Sequence, residues 1–414
     1  MKRSCLILSA IATAAMSTAQ LGLVLKNGDR VAFYGDSITD NGYYTKVVET
    51  FVRLRYPDLD VRFFNAGVGG DRVGGGWMGP VDERLTRDLF SRKPTVVTVM
   101  LGMNDGGYQQ TKPEIENAYK TGYQHIIERL KKEAPTTRVF LIKPSPFDDV
   151  TRQPGWPGGY NGVMRSYSDY LEGLAKSNGY ASVDFNTPVV DMLEKAKVEN
   201  AELSTKVIGD RVHPGGAGHL VMAQQLLMAW GATPMISNVN IDAQTGRAQA
   251  FRASVTGLSA VDKVTWTQTD QGLPFPLDRK DATVTLVLKS GDFDQKLNQQ
   301  MLTVRNLKPG NHSLTIDGQA VGTFTADQLA AGINLAQYET PMMAQARIVS
   351  AAVNQRADMM YQCWRQMEFT LKWADSPKRT AAITAVHDLS DDLIAKTRVA
   401  AKPGPHKYEL SPAN

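Results

Sequence analysis

Between residues 21 and 234 the apolar positions alternate between two patterns. Short unbroken runs occur at Arg30–Tyr34, Val61–Asn65, Val96–Leu101, Val139–Lys143 and Ala181–Phe185. Runs of that length, rich in Val, Ile and Phe, predict strands buried on both faces. Between them, Tyr43–Leu54, Val81–Ser91, Lys112–Glu133 and Val163–Ser177 repeat apolar residues at helical spacing. A last helix is expected over Gly218–Trp230, closed by Gly231-Ala232-Thr233-Pro234. Strands and helices in alternation predict a parallel sheet covered by helices on both sides.

From residue 235 the pattern shortens. Val239–Ile241, Ala248–Thr256, Lys263–Thr269, Ala282–Leu288, Met301–Arg305, His312–Ile316 and Ala320–Thr325 are strand candidates. Lys308-Pro309-Gly310-Asn311 and Asp317-Gly318 mark turns between them. This stretch of roughly ninety residues predicts a small β-sandwich. Helical spacing returns over Ala326–Ala331, Pro341–Trp373 and Pro377–Ala401, with Met342, Met343, Ile348, Trp364 and Trp373 needing an apolar surface to cover.

A chain of 414 residues exceeds what one core organises. The expected domains are a leader over 1–19, an α/β domain over 20–234, a β-sandwich over 235–325, and a helical segment over 326–414 packed back on the α/β domain. Lys2 and Arg3, the apolar run Leu6–Met16 and the small residues Ser17-Thr18-Ala19 fit a secretory signal peptide, too short to span a membrane. The protein is therefore expected to be secreted or periplasmic. Cys5 lies inside the apolar run, so no lipid anchor is expected.

The 46 Lys and Arg exceed the 42 Asp and Glu by four, and two of that surplus lie in the leader. So even a balance gives no electrostatic case for nucleic acid or a membrane surface. Cys363 is the one cysteine beyond the leader, which excludes an internal disulfide and a cysteine-based zinc site. No HExxH pair and no acidic calcium loop is present, so neither a metal nor a cofactor is expected. Gly74-x-Gly76-x-x-Gly79 matches a dinucleotide fingerprint in letters only, because no strand directly precedes it.

The candidate chemistry gathers in the loops expected at the C-terminal edge of the sheet, where open parallel sheets bind ligands. Gly35-Asp36-Ser37-Ile38-Thr39-Asp40 follows the first strand and Asn65-Ala66-Gly67-Val68-Gly69-Gly70-Asp71 the second. Gly102-Met103-Asn104-Asp105 follows the third, and Asp210-Arg211-Val212-His213-Pro214 lies beyond the fifth. A serine, a bare backbone amide, an asparagine amide and an Asp/His pair three residues apart are the parts needed for acyl transfer. Gly70 lets its N–H approach a reacting carbonyl closely.

These four blocks, in this order, resemble the SGNH hydrolases, also called the GDSL esterase superfamily, over roughly residues 21–234. The resemblance implies a flavodoxin-like three-layer α/β/α sandwich. It implies Ser37 as nucleophile, His213 as general base and Asp210 as the residue orienting it. The Ser37 amide, the Gly70 amide and the Asn104 side chain would form the oxyanion hole; Gly69 is the rival of Gly70, which directly precedes Asp71. The nucleophile elbow of the α/β-hydrolases is ruled out, since Thr39 stands where that motif needs glycine.

Trp156 and Tyr160, in the insertion Thr151–Gly162, join Trp77 and Tyr108 as candidate surfaces for a sugar ring. Asp36, beside the serine, is either a helix cap or a further substrate contact. Export, the aromatic rim and the added β-domain favour an acylated carbohydrate as substrate, its O-acetyl group removed through an acetyl-serine intermediate. A short-chain lipid or aryl esterase is the alternative within the same chemistry, and a non-catalytic glycan-binding protein the alternative outside it. The sequence carries no signal for an oligomeric state.

Overall fold

The computed structural model describes residues 22–413; the expected leader lies outside them. Five parallel strands form the central sheet: β1 (Arg30–Gly35), β2 (Arg62–Gly67), β3 (Val96–Met100), β4 (Arg138–Lys143) and β5 (Ala181–Asp184). Their order is β2-β1-β3-β4-β5. The chain steps from β1 outward to β2, then crosses to β3 on the other side. A crevice therefore opens between β1 and β3 at their C-terminal ends, as in other flavodoxin-like sheets.

β3 is buried at every residue and β1 at all but its first, so helices cover both faces. The helices are α1 (Ser37–Asp40), α2 (Tyr43–Arg55), α3 (Pro113–Glu133), α4 (Gly159–Asn178), α5 (Thr187–Glu199) and α6 (Gly216–Ala229). Phe33 of β1 meets Tyr44 of α2 edge-on, with ring centres 5.8 Å apart. Tyr119 of α3 lies flat on Tyr167 of α4 at 3.7 Å. Among the described residues no helix is long and apolar enough to cross a membrane.

Beyond residue 234 the strands are β6 (Met235–Asp242), β7 (Arg247–Phe251), β8 (Ala253–Ala260), β9 (Val264–Asp270), β10 (Gln299–Arg305), β11 (Asn311–Ile316), β12 (Gln319–Thr325), β13 (Ile333–Asn334) and β14 (Pro405–Ala413). They form two sheets, β8-β9-β14-β11-β12 and β13-β10-β6-β7. Val264, Trp266, Gln268 and Asp270 alternate inward along β9, and Gln300 of β10 donates to Asp270 from the other sheet at 2.8 Å.

Two expectations fail here. Ala282–Leu288 is not a strand but the start of α7 (Ala282–Ser290). Its β-branched run favours a strand, yet Asp281 caps the N–H groups of Thr283 and Val284. Helical geometry then buries Leu286 and Val287. The final residues are not helical either: β14 lies in the middle of its sheet, burying Tyr408 and Leu410 between β9 and β11.

The helical segment is α8 (Pro341–Gln362), a wider π turn over Cys363–Phe369, and α9 (Pro377–Ala400). It packs on the α/β unit through a buried Arg356–Glu49 ion pair at 2.6 Å. The Trp364 indole donates to Asp88 at 3.0 Å, and Arg62 forks onto Asp391.

Candidate active site

Ser37 follows β1 directly. Gly35 permits the sharp exit, because a Cβ there would lie 2.3 Å from the Thr39 hydroxyl and 2.7 Å from the Met100 carbonyl. Asp36 caps the short helix by accepting from Ile38 N–H at 3.0 Å, which leaves Ser37 at the first helical position. Its Oγ lies 2.8 Å from Nε2 of His213. Nδ1 of His213 lies 2.6 Å from Oδ2 of Asp210.

The Asp210–His213 turn divides the labour of one carboxylate. Oδ1 accepts the N–H groups of Val212 and His213 at 2.9 and 2.7 Å, and Oδ2 takes the ring. Burial pushes Asp210 up, but the hydrogen bonds from His213 and Val212 outweigh it and hold the carboxyl at about 2. Asp210 is therefore ionised at neutral pH and fixes the proton on Nδ1, so Nε2 is free to accept from Ser37. Arg211, at φ +74°, ties this turn to the loop after β4 through Asp149 at 2.5 Å and the Asp148 carbonyl at 3.0 Å.

The candidate amide donors differ in whether they are already engaged. Gly69 N–H is already given to Asp40 Oδ2 at 3.1 Å. Gly70 lies at φ +76° with open space around it, and its N–H has no partner among the described residues. That favours Gly70 over Gly69 as oxyanion donor. Asn104 gives one Nδ2 hydrogen to the Asp71 carbonyl at 3.0 Å and receives the Tyr108 hydroxyl on Oδ1 at 3.0 Å. Its amide is thereby oriented with the second hydrogen unused.

The substrate-facing candidates divide. Trp77 and Tyr108 are exposed, at 66% and 44%. Tyr108, at φ +57°, also serves Asn104 as described. Tyr160 is corrected: it is buried, donates to the Met103 carbonyl at 2.6 Å and supports the 102–108 loop from below. It cannot face a sugar. Trp156 is half-buried and packs edge-on against Tyr160, with ring centres 6.5 Å apart. Asp36 is corrected as well: it is 1% exposed, so it acts as a cap and not as a substrate contact. His219 is buried and accepts from Tyr44 N–H at 3.2 Å. Burial and the neighbouring His213 depress it to about 3, so it is neutral and takes no part as a base.

Asp36 has a measurable signature. Burial pushes its carboxyl up to about 7, with Ile38 N–H opposing and the Asp105 and Asp71 charges assisting. The folded value exceeds the unfolded one of about 4, so the folded state holds the extra proton. Stability from this group falls as pH rises from about 4 to about 7 and is level above. Asp36→Asn keeps the cap acceptor and removes the titration. Thermal unfolding between about pH 5 and 8 should fall less steeply in the variant, by at least about 2 °C. Parallel curves would refute this.

Away from this site, Cys363, Glu368 and His387 bring donor atoms within 4.8 Å of one another. The Glu368 carboxylate is already taken by Arg92 and by His387, which disfavours a metal there.

Residues 33–221 match the GDSL-like Lipase/Acylhydrolase family. An acetylxylan esterase of Geobacillus stearothermophilus is 25% identical over 228 residues, which are 50% of this chain and 95% of the relative. The structure of a gut microbial diltiazem-metabolizing enzyme is 27% identical and superposes with a TM-score of 0.82 over 94% of this chain and 98% of that one. The matched segment includes Ser37, Gly70, Asn104, Asp210 and His213, and the match together with the acetylxylan esterase relative supports an ester hydrolase. Similarity to the full-length neighbour extends through the β-sheets and the helical segment.

Proposed function

We propose that this GDSL esterase removes O-acetyl groups from carbohydrate outside the cytoplasm, through an acetyl-Ser37 intermediate. The observation that carries the catalytic part is the unbroken line from Asp210 through His213 to Ser37, with contacts of 2.6 and 2.8 Å. In the proposed reaction Ser37 Oγ attacks the acetyl carbonyl while His213 Nε2 takes its proton. The oxyanion receives the N–H groups of Ser37 and Gly70 and the free Nδ2 hydrogen of Asn104. Collapse expels the sugar oxygen, which leaves with the proton from His213. Water, deprotonated by the same nitrogen, then releases acetate and restores Ser37.

Support for carbohydrate comes from the acetylxylan esterase relative and from the exposed Trp77 and Tyr108 rings. The signal-like segment with Lys2, Arg3 and Leu6–Met16 supports export. The full-length neighbour is named as a diltiazem-metabolizing enzyme, which favours a second reading: a short-chain lipid or aryl esterase of the same chemistry. Acetate release from acetylated xylan and pectin, compared with release from aryl acetates and short-chain triglycerides, separates the two. Release from aryl acetates alone would overturn the carbohydrate reading.

Asn104→Ala should lower kcat by about 10²–10³-fold, the loss expected of one oxyanion donor. Steady-state rates on an acetyl ester check this, and an unchanged kcat would remove Asn104 from the hole.

A further inference from the structure

We infer that Trp77 and Arg365 are positioning residues for the Gly70 amide, which makes the C-terminal helical segment a working part of the catalytic unit. The inference rests on the hydrolytic reading of Ser37 given above.

Gly70 is held by no packing of its own: a Cβ there would meet nothing within 4 Å. Its N–H direction must be fixed from outside, and the structure supplies two anchors. The Gly70 N–H shares one planar trans peptide with the Gly69 carbonyl, so the two point in opposite directions and fixing one aims the other. Trp77 Nε1 donates to that carbonyl at 3.0 Å. A hydrogen bond on the carbonyl also polarises the amide, making its N–H a better donor. The preceding peptide is fixed through Gly69 N–H on Asp40 Oδ2.

Both anchors meet at Arg365. Its Nη2 donates to Asp40 Oδ1 at 2.7 Å, and Tyr361 donates to the same oxygen at 2.7 Å. The Arg365 guanidinium also lies 5.4 Å from the centre of the Trp77 ring, within cation–π range. One side chain therefore holds the carboxylate that fixes Gly69 and the indole that aims Gly70. Arg365 lies outside the 33–221 match, so the help reaches the site from beyond the GDSL unit.

The test is kcat and KM, measured separately on para-nitrophenyl acetate, together with thermal unfolding. Trp77→Phe keeps an aromatic ring for Arg365 while removing the N–H. Because Trp77 is exposed, the fold should be undisturbed. Its kcat should fall about five- to tenfold, the effect of one neutral hydrogen bond, with KM within about twofold of wild type. Arg365→Met should lower kcat at least as far, and Arg365→Lys, which restores a cation for Asp40, should recover part of the loss. A Trp77→Phe kcat within about twofold of wild type would overturn the inference. So would a loss confined to KM, which would make Trp77 a substrate contact instead. A wild type inactive on this ester would overturn the hydrolytic reading and this inference with it, whereas an active wild type with unchanged variants overturns the inference alone.

Discussion

Ser37→Ala should lower kcat on para-nitrophenyl acetate by about 10⁴–10⁶-fold, and adding His213→Ala to it should cost little more. The reason is that the two side chains perform one step. In the acylation step His213 Nε2 takes the proton of Ser37 Oγ, 2.8 Å away. Once the serine is gone, the base has nothing to activate, and triad members removed singly or together give similar losses. Asp210→Asn should cost less than Ser37→Ala, since it disturbs the tautomer and orientation of His213 but leaves nucleophile and base in place. Steady-state kinetics of the single and double variants provide the check. Additive losses in the double variant would mean that Ser37 and His213 act independently, which the proposed mechanism does not allow.

Arg84→Met should destabilise the protein by about 3–5 kcal/mol, the cost of leaving a buried charge without its partner. Arg84 is fully buried behind the glycine-rich loop. It donates to Asp71 at 2.9 Å, to Asp88 at 2.5 Å and to the Ala66 carbonyl at 2.9 Å, and it lies over the Tyr34 ring. Methionine fills much of the same space, so the loss is electrostatic and not a cavity. Two buried carboxylates then face each other with one cation fewer, and protonation is their remaining relief. The variant should therefore approach wild-type stability as pH falls toward about 5 and diverge from it toward about 8. Denaturant unfolding at both pH values tests this. A loss below about 1 kcal/mol at the higher pH would show that Arg87, which also reaches Asp88, compensates. Asp71 carries the carbonyl that holds Asn104, so activity should fall along with stability.

The catalytic candidates were legible because their chemistry is confined to short loops whose place follows from strand order. Once Arg30–Tyr34, Val61–Asn65 and Val96–Leu101 are read as parallel strands, Ser37, Gly70 and Asn104 must share one edge. Residue type, however, does not reveal burial. Asp36 and Tyr160 look like substrate contacts in the sequence, but a helix cap and a loop support are equally polar uses of the same side chains. The role of Asp40 is hidden in the sequence for a different reason: its partners Tyr361 and Arg365 are more than 300 positions away, and no local pattern joins them. The Ala282–Leu288 run reads as a strand because its β-branched residues state a preference that one capping aspartate and burial of Leu286 and Val287 overrule.

The place of β14 in the middle of its sheet has a consequence for the order of assembly. β9 and β11 do not touch each other; each pairs with β14, which arrives only after the long helices have run across the α/β unit. Until then the sheet exists as two separate ribbons, each with an open edge, the situation in which stray strands are most easily captured. Closure requires contacts between segments very distant along the chain, which slows folding. The helical segment that carries Arg365 is thus clasped at both ends by the β-rich unit, so the Asp40 side of the active site and the distal sheets should gain and lose order together.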